Sequence, residues 1–98
     1  MNDGKPGITR HTACFEIVNR LGLHARASAL LAETANRFQA DVKVTRNTQT
    51  VDAKSVMDLM LLAAVQGSML EVTAEGIDAA LALETIGELI AQRFNEEE

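Results

Sequence analysis

Ninety-eight residues, 47% hydrophobic and 23% charged, are enough for one compact domain and too few for two. The composition excludes a low-complexity or disordered chain, and the longest apolar run, the seven residues Leu59 to Val65, falls far short of the roughly 20 that a membrane-spanning helix needs. Lone Cys14, with no CxxC pair and no Cys/His cluster, leaves neither an internal disulfide nor a zinc site, and a formal net charge of −5 speaks, at face value, against anionic partners.

The opening residues carry Gly4, Pro6 and Gly7 and no apolar signal core, and they read as a mobile leader over 1–11, ahead of a domain at 12–94 and an acidic tail at 95–98. His11 at the leader's edge reads as a solvated loop residue. Thr12 to Asn19 has a strand pattern with Ala13, Phe15 and Ile17 on one face, and Cys14 within it reads as a small buried hydrophobe. Gly22 breaks the strand. From Ala25 to about Phe38, Ala27, Leu30, Leu31, Thr34 and Phe38 recur at helical spacing. Asp41–Arg46 and Gln49–Ala53 are β-like around an Asn47-Thr48 turn. Ser55-Val56-Met57-Asp58 has the S-x-x-D form of a helix cap, and Gly67 ends the helical region that follows. Ser68 to Glu75 alternates as a strand. After Gly76, Asp78 reads as the cap of a last helix reaching about Phe94, with Ala79, Ala82, Leu83, Ile86, Leu89 and Ile90 inward and Gly87 where the helix lies close to the sheet. The order β-α-β-β-α-β-α predicts an α+β open-faced sandwich, a four-stranded antiparallel sheet covered on one face by three helices.

The charge is unevenly spread. Residues 1–75 hold eight basic and eight acidic groups, residues 76–98 are net −5, and residues 20–55 are net +3. The acidic Glu96-Glu97-Glu98 end reads as a solvated tail. Within the basic stretch, Asn19-Arg20-Leu21-Gly22-Leu23-His24-Ala25-Arg26-Ala27-Ser28 sets a His where a Gly-containing loop turns into a helix, with an Arg two residues on. Neither His24 nor Ala25 is a good cap, so the first-turn N–H groups are left for another partner, and an anion suits them. The bland reading of such a His is a polar loop residue. The missing cap and Arg26 favour instead a phosphoryl group carried on the imidazole, with a charge-assisted donor beside it that does not deprotonate.

Gly22-Leu23-His24-Ala25-Arg26 resembles the active-site signature of the HPr family, the histidine-containing phosphocarriers of the phosphoenolpyruvate-dependent sugar phosphotransferase system. Ala53-Lys54-Ser55-Val56-Met57 resembles the same family's serine region, and Leu61-Leu62, Gln66-Gly67, Ala74-Glu75-Gly76 and Asp78 follow in matching order. The resemblance covers about residues 12–94. It implies that His24 accepts phosphate on Nδ1 from phosphorylated enzyme I and passes it to a IIA-type acceptor, held by Arg26 and by the backbone amides of Ala25, Arg26 and Ala27. It also implies regulatory phosphorylation at Ser55 by a serine kinase and phosphorylase, and a docking patch at Val56, Met57 and Met60, although a helix cap and a core stripe are sufficient readings of these residues. Where the family has Pro after the Arg, this chain has Ala27, which adds a free N–H and loosens the site.

The expected protein is therefore a cytoplasmic, monomeric carrier with a phosphohistidine intermediate and no cofactor, rather than a stand-alone catalyst. The alternative is a regulatory module of the same shape, acting through Ser55 on a transcription factor, kinase or other enzyme without sugar transport. A nucleic-acid-binding role is disfavoured, because Phe15, Phe38 and Phe94 are the only aromatics and no strand carries a stacking pair.

Overall fold

A computed structural model describes residues 9–98. The strands are β1 (Thr9–Glu16), β2 (Asp41–Arg46), β3 (Gln49–Asp52) and β4 (Met69–Gly76), and the helices are α1 (Ala25–Asn36), α2 (Val56–Leu61) and α3 (Ala79–Ala91), in the expected β-α-β-β-α-β-α order. The four strands form one antiparallel sheet in the order β1-β4-β2-β3. Alternation decides its two faces. Val42, Val44, Val51, Leu70, Val72 and Ala74 are buried beneath the helices, while Arg10, Thr12, Glu16, Lys43, Glu71 and Glu75 are exposed on the open side. The core is completed by Leu31 from α1, Leu59 from α2, and Ala79, Ala82, Ile86 and Ile90 from α3. Gly87 does lie against the sheet: a Cβ there would meet the Phe15 ring at 2.6 Å.

Several boundaries and side chains depart from expectation. β1 begins at Thr9 because β4 runs on to Gly76 and offers a partner at each step, Thr9 to Gly76, Arg10 to Glu75 and His11 to Ala74. Backbone pairing at an edge strand does not require apolar side chains there, so His11 is a strand residue and not a loop residue. The leader's residues 1–8 lie outside the described residues. β1 also ends early, at Glu16, although Ile17 stays buried and its N–H donates to Ser68 O at 2.8 Å. Cys14 is exposed, not buried. The period of two that turns Ala13 and Phe15 inward turns Cys14 outward.

α2 is a short helix ending at Leu61, well before Gly67. Beyond it the chain leaves the helix: Ala63 takes a left-handed φ of 48°, and Leu62 and Ala64 on either side of it are both buried. Asp78 precedes α3 but does not cap it with its side chain. Its carboxylate oxygens accept instead from the N–H groups of Gln39 and Ala40, at 2.9 and 2.8 Å, pinning the α1–β2 connection to the start of α3. The Gln39 N–H above all, with the Ala40 N–H and Lys54, outweighs the desolvation that opposes ionisation and holds this carboxyl below its usual pKa.

The last helix ends at Ala91, short of Phe94, and the chain then reverses through a tight turn, Arg93–Asn95, whose φ angles are 59°, 52° and 64°. Three consecutive left-handed non-glycine residues cost about 1–2 kcal/mol each. The turn persists because Phe94 is driven fully into the core. Phe94→Ala is expected to lower the unfolding free energy by about 3–5 kcal/mol in urea titrations, the range for emptying a buried aromatic site. A loss under about 1 kcal/mol would show that Phe94 does not anchor the turn.

Candidate functional site

The segment from Asn19 to His24 carries the chain from β1 to α1 and is tied down twice. Gly22 takes a φ of 69°, and a Cβ at this position would fall 2.5 Å from the Ala64 carbonyl oxygen and 3.0 Å from the Val65 Cα. Only glycine satisfies both the left-handed angle and that close approach. The Leu23 N–H donates to Ala64 O at 2.8 Å, and the fully buried Asn19 donates from Nδ2 to Gly22 O at 2.8 Å.

His24 is thereby delivered to the cap position of α1 in extended backbone, φ −76° and ψ −178°, and its side chain caps nothing. The first bond that closes within the helix is from Ser28 N–H to His24 O, at 2.8 Å. The N–H groups of Ala25, Arg26 and Ala27 therefore have no acceptor inside the helix. Arg26 stands beside them with its side chain 61% exposed. The imidazole is 29% exposed, accessible to a docking partner without being fully solvated.

The acidic end is not the solvated tail that its composition suggests. The turn at Arg93–Asn95 folds it back, and Glu96, 11% exposed in its side chain, comes to rest on the His24 loop. One Glu96 carboxylate oxygen, Oε2, hydrogen-bonds His24 Nε2 and lies 3.7 Å from Arg26 Nη1. The other, Oε1, accepts from Asn19 Nδ2 at 3.0 Å. Glu98 pairs with Arg20, Oε1 to Nε at 3.2 Å, and its carbonyl accepts from the Arg20 N–H at 3.0 Å. Desolvation opposes the charge on Glu96, but the hydrogen bonds from His24 and Asn19 and the charges of His24 and Arg26 prevail and hold its pKa below the ordinary value. The Asn19 amide is oriented by its two acceptors, both of which demand the NH₂ group, and this leaves Asn19 Oδ1 buried without a partner.

Ser55 is half-buried and caps α2, accepting from Asp58 N–H at 3.2 Å. Met57 is the most exposed of the predicted patch at 79%, with Val56 and Met60 also exposed. Leu21 and Val65, which sequence reasoning passed over, adjoin Gly22 and Ala64 in the chain, and both are exposed. Glu96 was missed as well. The signals for it were the apolar Phe94 just ahead of the tail and the opposite charges of the segments 20–55 and 76–98. Among the described residues no group of three or more His, Cys, Asp and Glu side chains could hold a metal ion, and no helix is long and apolar enough to cross a membrane.

Known proteins resemble the chain over most of its length. The family model described as "PTS HPr component phosphorylation site" matches residues 11–92. The phosphocarrier protein HPr of Neisseria meningitidis is 46% identical over 84 residues, covering 86% of this chain and 94% of the relative. That of Cupriavidus necator is 49% identical over 82 residues, covering 84% and 92%. Among solved structures, the crystal structure of HPr-C-His from Thermoanaerobacter tengcongensis superposes with a TM-score of 0.87 at 38% identity, covering 90% of this chain and 99% of the other.

Two measurements check the geometry. Gly22→Ala combines left-handed strain with a backbone clash and is expected to cost about 3 kcal/mol in urea unfolding; a neutral effect would mean that the loop does not need this close approach. The Glu96 carboxyl, followed by carbon NMR, is expected to titrate with a midpoint below its ordinary 4.5. Because the folded-state pKa is the lower one, the stabilisation from this contact is present above the unfolded value and is lost as pH falls through the folded value. A midpoint at or above 4.5 in the folded protein contradicts the contact.

Proposed function

The chain belongs to the HPr family of phosphocarrier components of the phosphotransferase system, and from that premise we propose that His24 takes a phosphoryl group from phosphorylated enzyme I and passes it to a IIA-type acceptor. The observation that carries this reading is the placement of His24 at an uncapped helix N-terminus, with three amides unpaired among the described residues and Arg26 at hand. The hydrogen bond to Glu96 occupies Nε2 and leaves Nδ1 without a partner among the described residues.

In the forward step the Nδ1 lone pair attacks phosphorus. A bond from Nδ1 to phosphorus forms as the bond between phosphorus and the donor breaks, and the electron pair leaves with the donor. The product dianion gains from the positive end of α1, a contribution of about 0.3–1 kcal/mol at an exposed position, and from the amides of Ala25, Arg26 and Ala27. Arg26 adds a charge that pH does not remove. Ala27 supplies an N–H where a proline would supply none, so the amide count at this site is larger by one. Transfer onward reverses the same bond changes on the acceptor.

Such a carrier needs a docking face rather than a pocket. Val56, Met57 and Met60 offer flexible apolar side chains, and Met in particular adapts to differently shaped partners. A cytoplasmic setting accompanies this reading. Ser55 phosphorylation would act on the same face, since its hydroxyl opens the helix that carries these residues.

Incubating the protein with phosphoenolpyruvate and enzyme I tests the proposal. Wild-type protein is expected to acquire an acid-labile, base-stable phosphate, and His24→Ala none. Arg26→Ala is expected to slow labelling by about 10- to 100-fold, less than the loss of a buried anion-stabilising donor because solvent screens the exposed guanidinium. Wild-type protein that stays unlabelled, or equal labelling of His24→Ala, would sink the reading.

A further inference from the structure

Glu96 lies beyond residues 11–92, the span matched by the family model. The chain nevertheless commits considerable structure to placing it. Three successive left-handed residues reverse the backbone, and fully buried Phe94 holds the reversal. The carboxylate that emerges from the turn is nearly buried and is gripped at both oxygens, by Asn19 at Oε1 and by His24 at Oε2. Asn19 is itself fully buried and fixed to Gly22 O, so the relay from Gly22 through Asn19 and Glu96 to the imidazole has little freedom. Local backbone strain held in place by packing, next to a reactive side chain, is a pattern that accompanies functional sites.

Hydrogen-bond chemistry says what the relay does to the ring. An ionised carboxylate has no proton to give, so the proton of the hydrogen bond between Glu96 and His24 belongs to Nε2. In the neutral imidazole the lone pair is then on Nδ1, the nitrogen that has no partner among the described residues. We propose that Glu96 is a positioning residue for phosphoryl transfer: it holds His24 in the tautomer with hydrogen on Nε2, fixes the ring's orientation, and so presents Nδ1 as the nucleophile. The inference rests on the carrier reading given above. During transfer the Nε2 proton stays where it is. The ring becomes cationic as the bond from Nδ1 to phosphorus forms, and the Glu96 carboxylate already faces the edge that carries that proton.

A competing role is conceivable for the same contact, in which Glu96 acts as a pseudo-substrate anion and keeps phosphate out. The geometry disfavours it. Glu96 binds at Nε2 rather than at Nδ1, and its approach to Arg26, 3.7 Å, is longer than its contacts to His24 and Asn19, so the guanidinium is not committed to it.

The test compares full-length wild-type protein with Glu96→Ala, Glu96→Asp and Glu97→Ala. Glu97→Ala removes the same charge from the exposed neighbouring residue. Long-range proton–nitrogen NMR on the unphosphorylated proteins reads the tautomer, and labelling by phosphoenolpyruvate and enzyme I reads the rate. Wild-type protein is expected to show a protected Nε2 proton and a single tautomer, and Glu96→Ala to lose the protected signal and populate both tautomers. Labelling of Glu96→Ala is expected to slow about tenfold, the lower end of what loss of a histidine-orienting partner costs. Glu96→Asp should recover part of the rate, and Glu97→Ala should stay within about twofold of wild type, as expected for an exposed charge. Unchanged tautomer signals in Glu96→Ala, an unchanged rate, or faster labelling overturns the role of Glu96. Failure of wild-type protein to label overturns the carrier reading instead, and the tautomer measurement, which needs no phosphate, still decides whether Glu96 orients the ring.

Discussion

The backbone contact between Gly22–Leu23 and Ala64 is the constraint from which the rest of the site follows. It joins the loop leading into α1 to the irregular segment leading out of α2, through the hydrogen bond from Leu23 N–H to Ala64 O and a packing distance that admits no Cβ at Gly22. On one side it fixes where α1 begins, and therefore where His24 and the free amides of the first turn stand. On the other it fixes where Leu62 and Ala64 enter the core, and therefore where α2 ends and which of its residues stay exposed. Nearby, Gly67 N–H donates to Ile17 O and Ile17 N–H to Ser68 O, so the pairing of β1 with β4 continues into the same region. His24 and the exposed residues of α2 are thus set by one shared piece of backbone, which suits the carrier role proposed above, in which partners meet both at once.

Charge is organised around the same point. The net negative charge of residues 76–98 and the net positive charge of residues 20–55 are far apart along the chain but adjacent in the fold, because the turn at Arg93–Asn95 returns the tail to Arg20, His24 and Arg26. The ion pair of Arg20 with Glu98 is exposed at both ends and contributes little. Glu96 differs because it is largely desolvated and hydrogen-bonded at both oxygens. Burial of Phe94 carries the energetic cost of the turn, and the carboxylate needs only to be correctly placed once the turn exists.

The sequence was informative where local chemistry decides the structure and silent where distant packing does. The periods of two and 3.6, the Asn47 turn and the Ser55 cap are set by neighbours a few residues apart, and each is realised: Asn47 has a φ of 57° and Ser55 accepts from Asp58. The absence of a cap before Ala25 was equally legible and pointed to His24 and Arg26. Asp78 looked like a cap from local spacing, yet its carboxylate serves Gln39 and Ala40, partners that no local pattern reveals. Cys14 is exposed for a simpler reason, since the alternation of the strand, and not the hydrophobicity of the thiol, fixes its face. The composition of Glu96-Glu97-Glu98 does not reveal the tail's position, because Phe94 and the reversal it anchors decide where those charges go.

Partial exposure of the His24 side chain connects these features to the proposed carrier chemistry. A fully buried imidazole with its dianion would demand compensation for charge in a low dielectric and would exclude both donor and acceptor proteins. A fully solvated one would have no defined tautomer or orientation and would depend on each partner to supply both. His24 lies between these limits: one ring nitrogen is held by a carboxylate the chain itself provides, and the other has no partner among the described residues, on a loop that also carries the free amides and an exposed arginine. The contacts on the open side are individually weak because water competes for them, and weak contacts are easily exchanged when a partner docks. The rigid half of the site belongs to the chain, through Gly22, Asn19 and Glu96, so in the proposed carrier role the exchangeable half is completed by different proteins in turn without His24 having to be re-oriented for each.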